Sequence, residues 1–312
     1  MIFKTPILLI AWRRPLETSR VINALKKVKP SNLYIACDGY KENDLEQQIK
    51  VKATREVIKQ NIDWDCEVKT LYSEFNQGCK IGVSKAITWF FNQVEEGIII
   101  EDDCIPHIDF FGYCKELLKE YRNDDRVWCI SGSNVQENNW RGDGSYYFGR
   151  IPQIWGWASW SKYWNYYDIN IKKWPDLKES NFLDTIFDDT FEKEYWIKIW
   201  DELYYDKTPD TWDYQWCFAC MSNGGLTAFP NKNLICNIGF GKDATHTTWV
   251  NNEEMLISKL GDLMHPSFVL RDSIADKYTF DNKFGGKNIR RQNKLFNRVK
   301  RKLKRILIKF ID

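Results

Sequence analysis

The chain has 312 residues, which is enough for one large α/β domain or two smaller ones. Its 45 basic and 43 acidic residues nearly balance, but residues 287–312 hold eleven bases and one acid, a net charge of +10, which leaves the rest at −8. Nucleic-acid-binding proteins usually carry positive charge on the folded body as well, so this distribution argues against that class.

The lack of recognisable targeting signals and the pattern of cysteines predict a cytoplasmic protein. The first residues, MIFKTPILLIAWRRP, lack the charged, long apolar and small-residue order of a signal peptide. No stretch approaches the roughly 18 apolar residues of a spanning helix. Nine cysteines, scattered mostly as single residues, are typical of reduced thiols, and the one close pair, Cys217 and Cys220, has no second pair to complete a zinc site.

Apolar runs alternate with amphipathic segments over the first 105 residues, which is the pattern of parallel β-α-β units. The predicted strands cover residues 6–12, 33–37, 68–72 and 98–100, and the predicted helices cover residues 16–28, 44–60 and 80–94. A helix at 109–121 and a strand at 126–131 follow. Residues 132–180 are rich in Gly, Asn, Trp and Tyr with weak periodicity, and residues 182–205 suggest a helix pair.

Three consecutive acids, Glu101, Asp102 and Asp103, follow the apolar β-branched run at 98–100. Ligands of open α/β sheets bind at the carboxyl ends of the strands, where this acidic step is predicted to lie. Packed carboxylates repel one another unless a cation or a set of donors compensates them, and a hard divalent cation is the simplest compensation. A solvated acidic turn is the alternative.

Two other predicted strand ends carry charge, since Arg13 and Arg14 follow the first strand and Asp38 follows the second. The glycine-rich signatures of dehydrogenases and P-loop enzymes are missing from the sequence. This arrangement indicates a site for a metal-bridged, negatively charged nucleotide.

Six segments, in order, resemble N-acetylglucosaminyltransferase I and its bacterial relatives, a family of GT-A type nucleotide-diphospho-sugar transferases. The acidic segment IIIEDDCIPHIDFF is similar to the family's metal-binding segment, and ILLIAWRRPLETSRVINAL and LYIACDG resemble its first two strands. FGRIPQIWGWASWSKYW, TWDYQW and NIGFGKDATHT resemble its aromatic, catalytic and histidine-bearing segments. The resemblance implies a Rossmann-like, mostly parallel sheet flanked by helices, with an aromatic-rich acceptor-side half.

Metal and donor contacts are implied by the same resemblance. Asp103 is expected to ligate Mn²⁺ or Mg²⁺, with Glu101 and Asp102 reaching the ribose and the sugar. Asp38 is expected to contact uracil or ribose, and Arg14 to contact uridine or phosphate. A turn-capping aspartate and a solvated arginine are the alternatives for these two residues.

Two further donor contacts are expected at the diphosphate, Lys80 near a helix start and His246 in the GFGKDATHT segment. A surface lysine and a structural histidine are the corresponding alternatives.

The resemblance also implies an inverting transfer with Asp213, in the TWDYQW segment, as general base, because such a transfer needs a carboxylate beside the acceptor hydroxyl. The alternative is an ordinary acid at a helix start. Trp155, Trp157 and Trp212 are expected to form a wall for the acceptor or the donor sugar, and Gly156 to let the backbone approach the ligand. Core packing competes with the wall for each tryptophan.

The predicted organisation is a transferase domain at 1–250, divided into a nucleotide-sugar-binding half (1–131) and an acceptor half (132–250). A connecting segment (251–286) and a basic amphipathic tail (287–312) follow. The tail has the pattern of a helix attracted to anionic lipid at the inner face of the cell membrane, and docking on the acidic body is the alternative.

The predicted function is metal-dependent, inverting transfer of a sugar, GlcNAc or a related hexose, from a UDP-sugar to a glycan or lipid-linked saccharide. A carbohydrate-binding protein on a transferase fold and a sugar-phosphate nucleotidyltransferase are the alternatives.

Overall fold

A computed structural model describes residues 2–137, 139–239 and 257–294 of the chain. His246 and residues 295–312 of the basic tail lie outside the described residues. The strands of the described residues are β1 (Ile7–Ala11), β2 (Asn32–Cys37), β3 (Glu67–Tyr72), β4 (Glu96–Glu101), β5 (Cys104–Pro106), β6 (Val127–Ser131), β7 (Tyr146–Gly149), β8 (Trp157–Trp160), β9 (Leu226–Pro230) and β10 (Ile235–Asn237).

Helices precede or follow most of these strands. In chain order they are α1 (Pro15–Leu25), α2 (Leu45–Asn61), α3 (Gly78–Phe91), α4 (Ile108–Glu120), α5 (Ser161–Trp164), α6 (Trp174–Glu179), α7 (Leu183–Ile186), α8 (Thr190–Asp201), α9 (Asp213–Ser222) and α10 (Ser273–Lys283). A π-helical turn at Glu202–Asp206 continues α8, and residues 286–294 are also helical. No helix among the described residues is long and apolar enough to cross a membrane.

Eight of the strands in the described ranges form one sheet in the order β3-β2-β1-β4-β8-β6-β9-β7. The four predicted strands of the first 105 residues are parallel neighbours, with Ile7 opposite Leu33 on one side and opposite Ile98 on the other. The apolar runs of β1, β2 and β4 are buried because helices cover the sheet, as parallel sheets require, whereas the residues of the edge strand β3 are exposed or half-buried. The predicted α/β class, a mostly parallel, Rossmann-like sheet flanked by helices, is confirmed.

The aromatic-rich second half contains strands that the weak periodicity of residues 132–180 concealed. β8 lies antiparallel between β4 and β6, and β7 pairs antiparallel with β9 at the sheet edge. β10 pairs with β5 in a separate two-stranded sheet. Trp196 and Trp200 of α8 are fully buried in a second apolar cluster.

Gly97 and Gly112 give a matched test of packing around the acidic step. A Cβ on Gly97, within β4, would lie 2.3 Å from Phe90 Cζ and 3.0 Å from Pro6 O, whereas among the described residues one on exposed Gly112, within α4, meets no such neighbour within 4 Å. We expect Gly97→Ala to lower the free energy of unfolding by ~1–3 kcal/mol. Gly112→Ala should raise it by about 1 kcal/mol, the helix-propensity difference.

Urea unfolding followed by tryptophan fluorescence measures both changes. Equal effects of the two substitutions would contradict the tight packing at Gly97.

Candidate active site

A cleft of about 670 Å³ lies at the carboxyl ends of β1, β2 and β4. Because parallel strands end on the same side of a sheet, the charged residues that follow them meet here. The first turn of α3 and the segment before α9 close the cleft from other sides. The predicted site residues that line it are Arg14, Asp38, Glu101, Asp102, Asp103, Trp155, Trp212 and Asp213.

The acidic step is held by Arg14 and by the end of β1. Arg14 Nη1 lies 2.6 Å from Asp103 Oδ2 and 3.2 Å from Asp102 Oδ1. The Trp12 backbone N–H donates to Asp102 Oδ2 at 2.7 Å. Asp102 and Asp103 are only 4% and 9% exposed, so the solvated-turn alternative does not describe them. The resemblance implies that Arg14 contacts uridine or phosphate. In the structure Arg14 forms ion pairs with Asp102 and Asp103.

Burial and mutual repulsion dominate the electrostatics of this step. Burial, with the charge of Asp103, raises the pKa of Asp102 to about 7, against the opposing pull of Arg14. Burial also raises the pKa of Glu101 well above its usual range, and the carboxylates of Asp103, Asp102 and Asp213 add to the effect. The two aspartates raise the pKa of Arg14 although its burial opposes this. If all three carboxyl groups were ionised they would carry more negative charge than Arg14 neutralises, so the cluster must either bind protons or be compensated by a cation.

A divalent cation fits this excess charge. Mg²⁺ is commonly bound by one or two carboxylates plus substrate phosphates and water, not by a cage made only of protein. Within the described ranges no three His, Cys, Asp or Glu side chains converge as a ready-made cage, whereas Asp102 and Asp103 lie together. Glu101 Oε1 is buried without a hydrogen-bond partner among the described residues. These residues fit a cation whose coordination the substrate completes.

Asp38 joins the end of β2 to the turn before α3. Its carboxylate accepts hydrogen bonds from the Gly39 and Gln77 backbone amides at 2.8 and 3.0 Å, and from Asn76 Nδ2 at 2.9 Å. Burial raises its pKa, and the backbone hydrogen bonds oppose that shift. The turn-capping role is therefore present in the structure, and Asp38 also lines the cleft.

Asp213 begins α9 and brings a carboxylate from the second half of the chain into the cleft. The Thr211 hydroxyl donates a hydrogen bond to Asp213 Oδ1. The negative charge of Asp213 contributes to the raised pKa of Glu101, so the two carboxyl groups interact electrostatically. Trp212, next to it, packs on Trp157 with ring centroids 5.8 Å apart and planes 23° apart.

The aromatic wall is smaller than the sequence predicted. Trp155 is half-buried and Trp212 is buried, and both line the cleft. Trp157 is fully buried because β8 runs inside the sheet, so it supports Trp212 from behind. A Cβ on Gly156 would lie 2.4 Å from Ile235 Cδ1, so this glycine admits the side chain of Ile235. Neither residue lines the cleft.

The lining of the cleft differs from the prediction at three residues: Asp210 and Cys79 line it although the sequence did not indicate them, whereas the predicted Lys80 does not. Lys80, predicted at the diphosphate, stands in the first turn of α3 but outside the cleft lining. Burial, with the surrounding carboxylates of Glu101 and Asp213, raises the pKa of the Cys79 thiol well above its usual range, so this cysteine is not an activated nucleophile.

The stability of the protein should depend on the proton bound by Asp102. Its pKa is about 7 when folded and 3.8 as an ordinary aspartate, so the folded state binds this proton more tightly. Its contribution is therefore full below pH 3.8 and is lost as the pH rises to about 7. Between pH 5 and 8, in chelator, we expect wild type to lose more stability than Asp102→Asn by over ~1 kcal/mol.

Chemical denaturation at each pH measures this difference. Parallel stability curves for the two proteins would contradict the raised pKa.

No family model matches the sequence, and no curated protein matches it. Among solved structures, the inositol-1-phosphate CTP transferase from T. maritima is similar at 11% identity and a TM-score of 0.36, over 73% of this chain and 85% of that one. Mouse xyloside xylosyltransferase 1 is similar at 12% and 0.31, over 70% and 81%. A UDP-glucose pyrophosphorylase complexed with UDP-glucose is similar at 11% and 0.33, over 53% and 79%. At these TM-scores the similarities carry no argument about the chemistry of this chain.

Proposed function

We propose that the protein is a cation-dependent, inverting glycosyltransferase that uses a UDP-sugar donor carrying GlcNAc or a related hexose. The acceptor is a glycan or a lipid-linked saccharide. The observation that carries the proposal is the cleft that joins Arg14, Asp102 and Asp103 to Asp213 from the other half of the chain. The sequence resemblance supports the same assignment independently of the geometry.

The donor half of the cleft supplies charge and hydrogen-bonding groups. A diphosphate brought beside two buried carboxylates needs more positive charge than Arg14 provides. Asp103 is the residue that would hold Mn²⁺ or Mg²⁺, which when bound neutralises the charge that develops on a departing diphosphate. Glu101 Oε1, buried and without a partner among the described residues, is suited to accept a hydrogen bond from a ribose or sugar hydroxyl.

Asp213 supplies the base in this proposal. The acceptor hydroxyl oxygen attacks the anomeric carbon while its proton passes to the Asp213 carboxylate, and the bond from that carbon to the diphosphate breaks. The hydrogen bond from Thr211 orients the carboxylate. Trp155 and Trp212 offer apolar faces for a sugar ring and limit the access of water.

Two rival functions use parts of the same cleft. A sugar-phosphate nucleotidyltransferase usually has a glycine-rich basic loop after its first strand, whereas this chain has WRRPLET there. A carbohydrate-binding protein would need neither Asp103 nor Asp213. The contacts of the described residues favour neither rival over transfer.

A screen of nucleotide sugars with Mn²⁺ tests the proposal. We expect one UDP-sugar to stabilise the protein against heat and to be hydrolysed slowly to UDP. A parallel assay of UTP with sugar 1-phosphates, in which release of pyrophosphate is measured, tests for the nucleotidyltransferase. Pyrophosphate release without UDP release would replace the proposed activity, and a response to no nucleotide sugar would favour the binding protein.

Peripheral association with an anionic membrane is part of the proposal, since an acceptor linked to lipid would be presented there. It is supported by the sequence of residues 295–312, in which apolar and basic positions alternate at helical spacing. Co-sedimentation with anionic vesicles should be lost when the chain ends near Gly286. Equal binding with and without the tail would reject the anchor.

A further inference from the structure

Asp210 joins the segment before α9 to the helix that closes the other side of the cleft. Its carboxylate accepts hydrogen bonds from the backbone amides of Cys79 at 3.2 Å and Lys80 at 3.3 Å. These amides belong to the first turn of α3, about 130 positions away in the chain. The contact thus connects two elements that the sequence separates widely.

The contact is favourable because the first amides of a helix have no partner within the helix, and the helix dipole attracts negative charge there. Gln77, the residue before α3, makes no side-chain capping bond. Asp210 therefore performs the capping role from a distant segment. Gly78 makes room for it, since a Cβ there would lie 2.9 Å from Asp210 Oδ2, and its φ of +79° favours glycine.

The segment that carries Asp210 also carries Thr211, Trp212 and Asp213. It is attached at one end by the stacking of Trp212 on Trp157 and at the other by Asp210 on α3. Asp213 lies three residues after Asp210, and its negative charge contributes to the raised pKa of Glu101. The position of Asp213 is thereby tied to the position of α3.

We propose that Asp210 is a positioning residue, which holds the 207–213 segment on α3 and so sets the place of Asp213 opposite the acidic step. The kinetic consequence rests on the proposed function, whereas the attachment itself does not. The competing account is a surface cap that stabilises α3 without affecting the segment.

Hydrogen exchange of the full chain tests the attachment without any activity. We expect Asp210→Ala to speed exchange at Cys79 and Lys80 by ~5-fold or more, as the loss of a cap predicts, and also to speed exchange across residues 207–213. Asp210→Asn should restore most of the protection, because asparagine caps helices about as well as aspartate. Asp206→Ala, an exposed acid nearby, is the matched control and should change neither region. Faster exchange at Cys79 and Lys80 alone would overturn the proposal and leave the surface cap.

Gly78→Ala provides a second variant, since the added methyl group meets Asp210 directly. It should speed hydrogen exchange across residues 207–213 as Asp210→Ala does. In the Gly78→Ala/Asp210→Ala double variant, the increase in exchange should be less than the sum of the two single effects. Additive effects would overturn the attachment.

Kinetics with the UDP-sugar found by the screen test the consequence. We expect Asp210→Ala to lower kcat by roughly 10- to 100-fold, with little change in KM for the donor, because a displaced base affects the chemical step. Asp210→Asn should recover most of the rate. An unchanged kcat of Asp210→Ala together with faster hydrogen exchange across residues 207–213 would overturn the positioning role. A wild type that is inactive with every nucleotide sugar would instead count against the proposed function, and the exchange experiment would still decide the attachment.

Discussion

Asp213→Asn is expected to lower the rate of sugar transfer by ~10²–10⁴-fold, the usual contribution of a general base. Asparagine keeps the shape of the side chain and an oxygen that can accept the Thr211 hydrogen bond. It removes the negative charge of the carboxylate and with it the ability to take the acceptor proton. The affinity for UDP should be unchanged, because the carboxylate acts on the acceptor side. Initial rates at saturating donor, with calorimetric titration of UDP, separate the two effects.

Asp206→Asn is the matched control, because it removes an exposed carboxylate a few residues upstream without altering the cleft lining. Its turnover should equal that of wild type. Near-normal turnover of Asp213→Asn would move the base elsewhere. Glu101 would then be the next residue to substitute, because its pKa is raised by burial and by the neighbouring carboxylates.

Asp103→Ala is expected to lower cation-dependent transfer by roughly 10³-fold or more, because it removes the carboxylate that would hold the cation at the diphosphate. The variant should stay folded, since Arg14 retains Asp102 as an ion-pair partner. Rates across a Mn²⁺ titration measure the loss, and circular dichroism checks the fold.

Wild type in chelator provides the comparison for this substitution. Its residual rate should match that of Asp103→Ala in Mn²⁺. A fully active Asp103→Ala, or a wild type indifferent to chelator, would remove the cation from the account.

The donor half of the site was predictable because its information is local in the sequence. Short apolar runs define β1, β2 and β4, and parallel strands bring whatever follows them to one edge of the sheet. These patterns predict that Arg14, Asp38 and Asp103 lie close together, and all three line one cleft in the structure. The direct pairing of Arg14 with Asp103 was not predictable, since it depends on how β1 and β4 end relative to each other.

The second half was less predictable because its contacts are non-local. β8 runs antiparallel between β4 and β6, and no periodic pattern in the aromatic segment signals that insertion. Trp157 consequently enters the core, although its sequence neighbour Trp155 reaches the cleft. Asp210 is one exposed acid among many, and only the fold shows that it caps α3.

Calorimetric titration of UDP into the wild-type protein, in Mn²⁺ and then in chelator, tests the central claim most directly. The cleft is proposed to bind a nucleotide diphosphate beside the acidic step only when a cation joins them. We therefore expect saturable binding of one UDP per chain in Mn²⁺ and strong weakening in chelator. Equal affinity in both conditions, or no binding in either, would contradict the proposed donor site.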